Sequence, residues 1–150
     1  MVKSVGLMLA VTIFSVGAAV AADPVGYVKV AEGEALVLTS GKAVLAQPGL
    51  AIAVGQVLKT GRTGRLGVSF RDNTVMSLGP DTEVLVDDYL YAPGQDELKF
   101  GASLLRGTMH FISGVIAKLK PEAVSIRTPG GTIGIRGTRF LVKVDAEDAQ

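Results

Sequence analysis

The sequence predicts an all-β protein: short strands in a solenoid-like or sandwich arrangement, at most one short helix near residues 113–120, and a signal helix at the N-terminus. Three observations carry that expectation. Glycine is abundant, at 19 of 150 residues, where about 7% is usual. Glycines recur every six to eight residues at 26, 33, 41, 49, 55, 61 and 67, and the series resumes at 94, 101, 107 and 114; since glycine tolerates positive φ, such spacing marks turns. Between them lie brief runs with the two-residue alternation of half-buried strands.

The first of these runs is Ala35–Thr39. Next come Leu66–Phe70, with Leu66, Val68 and Phe70 on one face, and Val75–Leu78 after the Asp72-Asn73 turn. Glu83–Asp87 follows the Gly79-Pro80-Asp81 turn. Thr108–Ile112, Val124–Thr128 and Phe140–Val144 complete the series, with Val124 and Ile126 opposite Ser125 and Arg127. Leu58–Gly64 and Ile126–Gly134 resemble each other weakly. Each runs apolar-basic-Thr into a glycine turn and leads to a strand ending in Phe, at Phe70 and Phe140, which suggests a quasi-repeat. Helical spacing occurs once, in Ile112, Val115, Ile116 and Leu119. Ser113 is placed to cap that segment, and Pro121 ends it after Lys118 and Lys120.

Met1–Ala22 reads as an export signal: one charge at Lys3, an apolar run from Val5 to Val20, and small residues around a cut after Ala21 or Ala22. The run is shorter than the ~20 residues that span a bilayer comfortably, so cleavage is the expectation and an uncleaved inner-membrane anchor the alternative. The expected organisation is a signal peptide over 1–22, a linker over 23–26, a β domain over 27–144 and a tail over 145–150. No second spanning run follows, so no stable membrane span is expected after cleavage, and the expected compartment is the periplasm.

Composition excludes several chemistries. With no cysteine and a single histidine, disulfide scaffolds, thiolate chemistry and two-histidine metal sites are ruled out. Removing the leader and its Lys3 leaves 14 basic and 14 acidic residues, a balance that offers nucleic acid no global attraction. The charges are nonetheless segregated along the chain. Residues 72–97 hold seven acids and no base, whereas residues 99–143 hold eight bases and one acid, Glu122. Two readings stay open: cross-strand pairing of the two blocks, or opposed patches that orient a partner.

No catalytic, cofactor or metal set emerges. His110 lies opposite Met109 and Phe111 by alternation, with no nucleophile elbow in the chain. Asp72, Asp81 and Asp87 have no fixed separation for carboxylate catalysis, and Asp87-Asp88 lacks the D-x-D-x-D-G frame of a calcium loop. Gly130–Thr138 lacks the lysine of a phosphate loop and reads as a tight bend with close backbone packing. Arg136 and Arg139 flank it, either bonding loop carbonyls or facing a partner. Candidate partner-binding residues are Arg136, Arg139, Asp87 and Asp88.

Two blocks, Gly55–Glu83 and Val124–Phe140, resemble the FecR-domain family. The first carries a Thr-Gly turn (Thr60, Gly61, Gly64), an Asp-x-Thr turn at Asp72 and a Leu-Gly-Pro segment at Gly79 and Pro80. The second carries Thr128-Pro129 and then Gly134, Arg136, Gly137 and Thr138. The resemblance covers about residues 27–144. It implies a periplasmic β domain of solenoid-like form that recognises another protein of the periplasm or envelope, without enzymatic activity, in a sensory or signalling role. No cytoplasmic segment precedes the export signal, so direct control of a sigma factor is not expected. The alternative is a cell-wall or polysaccharide binder, for which Tyr27, Tyr89 and Tyr91 are the few stacking rings.

Overall fold

A computed structural model describes residues 22–135 and 139–146. The expected signal helix and the Arg136–Thr138 part of the second block lie outside the described residues. The strands are β1 (Gly26–Glu32), β2 (Ala35–Thr39), β3 (Lys42–Leu45), β4 (Ala51–Ile52), β5 (Val57–Thr60), β6 (Arg65–Phe70), β7 (Val75–Leu78), β8 (Glu83–Ala92), β9 (Glu97–Ile112), β10 (Val124–Thr128), β11 (Gly131–Gly134) and β12 (Arg139–Val144). Among the described residues there are also one α-helix, α1 (Val115–Leu119), and two 3-10 turns, at Pro93–Gln95 and Pro121–Ala123.

The fold is all-β with one short helix, built as a curled, chiefly antiparallel sheet. Its strand order is β3-β2-β5-β8-β9-β7-β6-β1-β4, with β10 and β12 also paired to β9 and β11 to β10. Among the described residues only β9–β10 is parallel. The registers reveal how the curl is made. Along β9, first β8 (Ala92 to Glu83) and then β7 (Leu78 to Val75) run antiparallel to it. In the same way β5 then β6 line up against β8 then β7, β2 and β1 against β5 and β6, and β3 and β4 against β2 and β1. Each pair of short strands is thus one long strand folded over at a corner. The corners sit side by side as a crease, and β9 alone crosses it without a break.

The two halves face each other across a shared core. Phe70 of β6 stacks on Tyr89 of β8 at 5.6 Å and meets the edge of Phe100 at 4.9 Å. Phe100 then packs on Phe111 at 5.4 Å, and Phe111 stacks on Phe140 at 5.0 Å. The two phenylalanines that end the quasi-repeat units therefore join one aromatic row. Around it, Val28, Leu58, Val84, Val86, Leu104, Met76, Met109 and Ile126 are fully buried. A bulge sets one register: Val86 pairs with Ala102 and Asp88 with Gly101, so Asp87 is an extra residue. After it the alternation flips, and Tyr89 points into the core.

Several expectations are corrected. The strands are not all short: β8 has 10 residues and β9 has 16. Glycine does not always mark a turn, because Gly26, Gly67, Gly101 and Gly107 lie inside strands. Gly131–Gly134 is not a closely packed bend but strand β11, in a hairpin with β10; an added Cβ would meet nothing within 4 Å at Gly131 or Gly134. The helix is capped at Gly114, not Ser113, and Leu119 is 62% exposed instead of core-facing.

Candidate functional site: the crease, the buried acid and the open edges

The crease collects the motif residues. Thr60 Oγ1 donates to the Gly79 carbonyl at 2.6 Å and accepts from the Thr82 amide at 3.0 Å. Thr82 Oγ1 in turn donates to the Thr108 carbonyl at 3.2 Å and accepts from the Thr108 amide at 3.0 Å. Two hydroxyls, Thr60 and Thr82, thereby satisfy backbone groups on neighbouring corners that the bends remove from the ladder. Close approach explains the glycines here. A Cβ on Gly64 would run into the Glu34 carbonyl, and one on Gly107 (φ +91°) into Thr82. Thr82 and Thr108 were missed in sequence; the signal for both is a threonine just beyond a turn residue or glycine. Pro80 is exposed in the same corner.

Asp72 is a structural hub. Its carboxylate is fully buried and accepts from the Thr74 amide at 3.2 Å, the Thr74 hydroxyl at 2.8 Å, the Tyr89 hydroxyl at 3.0 Å and the Ile116 amide at 3.1 Å. The Ile116 bond caps the first turn of α1 from a distant part of the chain, where the helix dipole favours negative charge. The Asp72 carbonyl also accepts from the Val115 amide at 2.8 Å. Every bond fixes protein to protein, so Asp72 serves the fold and is sealed from solvent. Burial, reinforced by the Asp72 charge, pushes the Tyr89 phenol above its ordinary pKa of 10.0. Tyr89 is therefore a core residue, which corrects its reading as a possible stacking ring for sugars. Tyr27 is exposed on β1 and Tyr91 is half-buried on β8.

The remaining predicted residues do not converge. Asp87 is half-buried and its carboxylate accepts from Ser103 Oγ at 2.6 Å. Asp88 pairs with Lys99 at 3.5 Å, and Glu83 with Arg106 at 3.4 Å. The acidic β8 and the basic β9 are antiparallel neighbours, so these charges meet across strands there and the first of the two readings of the blocks holds for them. Arg139 is exposed at the start of β12, opposite Ile112 of β9, whereas Asp87 sits at the bulge opposite Gly101 and Ala102 near the other end of that strand. His110 sits half-buried on the outer face between Ser77 and Leu141. Thr128 and Pro129 turn the β10–β11 hairpin, with Thr128 Oγ1 donating to the Gly131 carbonyl at 3.1 Å. Gly134 closes β11, and Arg136, Gly137 and Thr138 lie outside the described residues.

Open features remain at the sheet borders. Among the described residues β3 and β12 each pair with one strand only. All four residues of β3 are exposed, as are Arg139, Leu141 and Lys143 of β12. A groove of about 920 Å³ runs between the Pro121 turn and β11, lined by Ala117, Val124, Ile133 and Ile135 among others. Among the described residues no group of three His, Asp or Glu side chains could hold a metal ion, and no helix is long and apolar enough to cross a membrane.

The domain is all-β, and its buried Thr60, Asp72, Thr74 and Thr82 are hydrogen-bonded within the fold. The FecR protein family model matches residues 56–150, and the chain belongs to that family. Comparison with curated proteins and with solved structures finds no match. The match begins just before β5, later than the 27–144 extent read from the sequence, and it covers both motif blocks from Gln56 onward.

Proposed function

We propose that this chain is an exported, non-catalytic FecR-domain protein that acts in the periplasm as a protein-binding module for sensing or signalling at the cell envelope. The family supplies the regulatory setting. The observation that carries the reading is the contrast between interior and border. Asp72, Thr60 and Thr82 are buried and spent on the fold's own hydrogen bonds, while two sheet edges, β3 and β12, have no second strand partner among the described residues and carry exposed side chains. Such edges recognise extended segments of other proteins. The apolar leader, Val5–Val20, supports export, and a domain over 27–144 followed by a short tail completes the proposed organisation.

The test is photo-crosslinking of the full chain in intact cells, with the crosslinker placed in turn on β3 and on β12, combined with N-terminal sequencing of the periplasmic form. One recurrent envelope protein, and a mature terminus at Ala22 or Asp23, are expected. A cytosolic chain, or crosslinks spread without recurrence over abundant proteins, overturns the proposal.

A further inference from the structure

We infer that the free edge of β12 takes up an extended, acidic segment of a partner protein as an added strand. This rests on the reading of the chain as a protein-binding module and names the surface and the chemistry of what it binds.

β12 is bonded on one side to β9, in the register Arg139–Ile112, Leu141–His110 and Lys143–Thr108. On its other side it has no strand partner among the described residues. The side chains divide by face. Val142 and Val144 are buried inward, while Arg139, Leu141 and Lys143 point outward, Leu141 being 67% exposed. A basic–apolar–basic row at every second residue therefore lies along a backbone ladder without a second strand partner among the described residues, with the β10–β11 turn across a cleft of about 410 Å³ from Val142–Val144. The neighbouring strands add no acid to that outer face: Val75 and Ser77 of β7, and Thr108, His110 and Ile112 of β9, are neutral or basic.

A strand added to β12 places its own alternate residues opposite Arg139, Leu141 and Lys143. Directly opposed unlike charges stabilise such a pair and like charges oppose it, so the row selects acidic–apolar–acidic. Lys143 already bonds Asp145 at 2.9 Å, but both side chains are more than 60% exposed. Pairs of that kind hold little net energy, and a partner carboxylate can replace Asp145 without loss. Edge β3 differs on this point: it offers Ala43, Val44 and Leu45 with one charge, Lys42, and selects no charge pattern.

The experiment uses the full exported chain and two ten-residue peptides, one alternating glutamate with valine and the other lysine with valine. Binding is followed by calorimetry and by hydrogen exchange of individual amides. The glutamate peptide is expected to bind and to slow exchange in β12, and the lysine peptide is expected not to bind. Arg139→Glu/Lys143→Glu should lose roughly tenfold or more in affinity for the glutamate peptide and gain affinity for the lysine peptide. Arg139→Gln/Lys143→Gln provides the same loss without charge reversal, should the first variant fail to fold. Equal binding of both peptides, protection in β3 instead of β12, or inorganic polyphosphate matching the glutamate peptide overturns the inference. So does an absence of binding. If crosslinking in cells still returns one envelope protein, the proposed function survives that outcome and only this surface is wrong.

Discussion

Asp72 reads in sequence as one of seven acids in an unbroken acidic stretch, and its neighbour Asn73 marks a turn. Both signals are local, and the turn is present, with Asn73 at φ +66°. What gives Asp72 its role is not local: Tyr89 lies 17 residues away and Ile116 lies 44 away. Only the folded chain brings the distant donors Tyr89 and Ile116 onto the carboxylate that Thr74 already bonds locally. The pair has a measurable pH signature. Because the folded Tyr89 phenol titrates above its ordinary 10.0, the native state keeps a proton that the unfolded chain has already released at high pH. Its contribution to stability is thus complete below pH 10 and is lost as pH rises towards the folded value. Urea unfolding from pH 8 to 11 should show the wild type losing stability more steeply with pH than Tyr89→Phe, which has no phenolic proton to lose; parallel slopes would rule this out. At neutral pH the same substitution is expected to cost about 1–3 kcal/mol, since it removes the donor to Asp72 and the acceptor for the Asp72 amide.

At the scale of elements, alternation was readable and punctuation was ambiguous. β2, β7 and β10 fall where their alternating runs place them, because each has one face in the core and one outside. β9 was legible only in its last five residues. Its first part contains Gly101 and its bend contains Gly107, and a glycine within a strand resembles a glycine between two strands. The difference lies in what the missing Cβ makes room for. At Gly107 it makes room for Thr82 on the neighbouring corner, and the backbone is also at positive φ. At Gly94 nothing lies within 4 Å and no positive φ is required. Gly107→Ala is therefore expected to destabilise by about 2–4 kcal/mol, since strain and steric overlap add. Gly94→Ala should stay within about 0.5 kcal/mol of wild type, as exposed substitutions away from special geometry usually do. Thermal or urea unfolding of the two variants side by side checks the contrast, and equal effects would refute the crease as the reason for Gly107. The segregated charges follow the same logic. Two blocks of opposite sign in sequence become adjacent strands of one hairpin, and Glu83–Arg106 and Asp88–Lys99 settle across it.

For the whole molecule, the all-β class and the short helix after β9 were legible, but the architecture was not, because no local pattern announces that consecutive short strands are halves of one bent strand. The bend matters most upstream of the family match. Residues before Gln56 build β1 to β4, and these hold the flank of both halves at once: β1 pairs with β6 from Gly26–Phe70 to Glu32–Arg65, and β2 pairs with β5 from Ala35–Thr60 to Leu38–Val57. Val28, Val37 and Ile52 from that region are buried in the common core. A chain begun at Gln56 would uncover the rims of β5 and β6 and the apolar faces they shelter. Such a fragment is expected to bind hydrophobic dye and to lack the cooperative urea transition of the full chain; a cooperative, dye-free fragment would contradict it. The matched segment and the folding unit are then different lengths of chain. Evolutionary labelling stops at a seam in the amino-acid pattern, whereas mechanical integrity reaches back thirty residues further, to Gly26, so grafting, trimming or tagging the protein at the seam would sever a page from its binding.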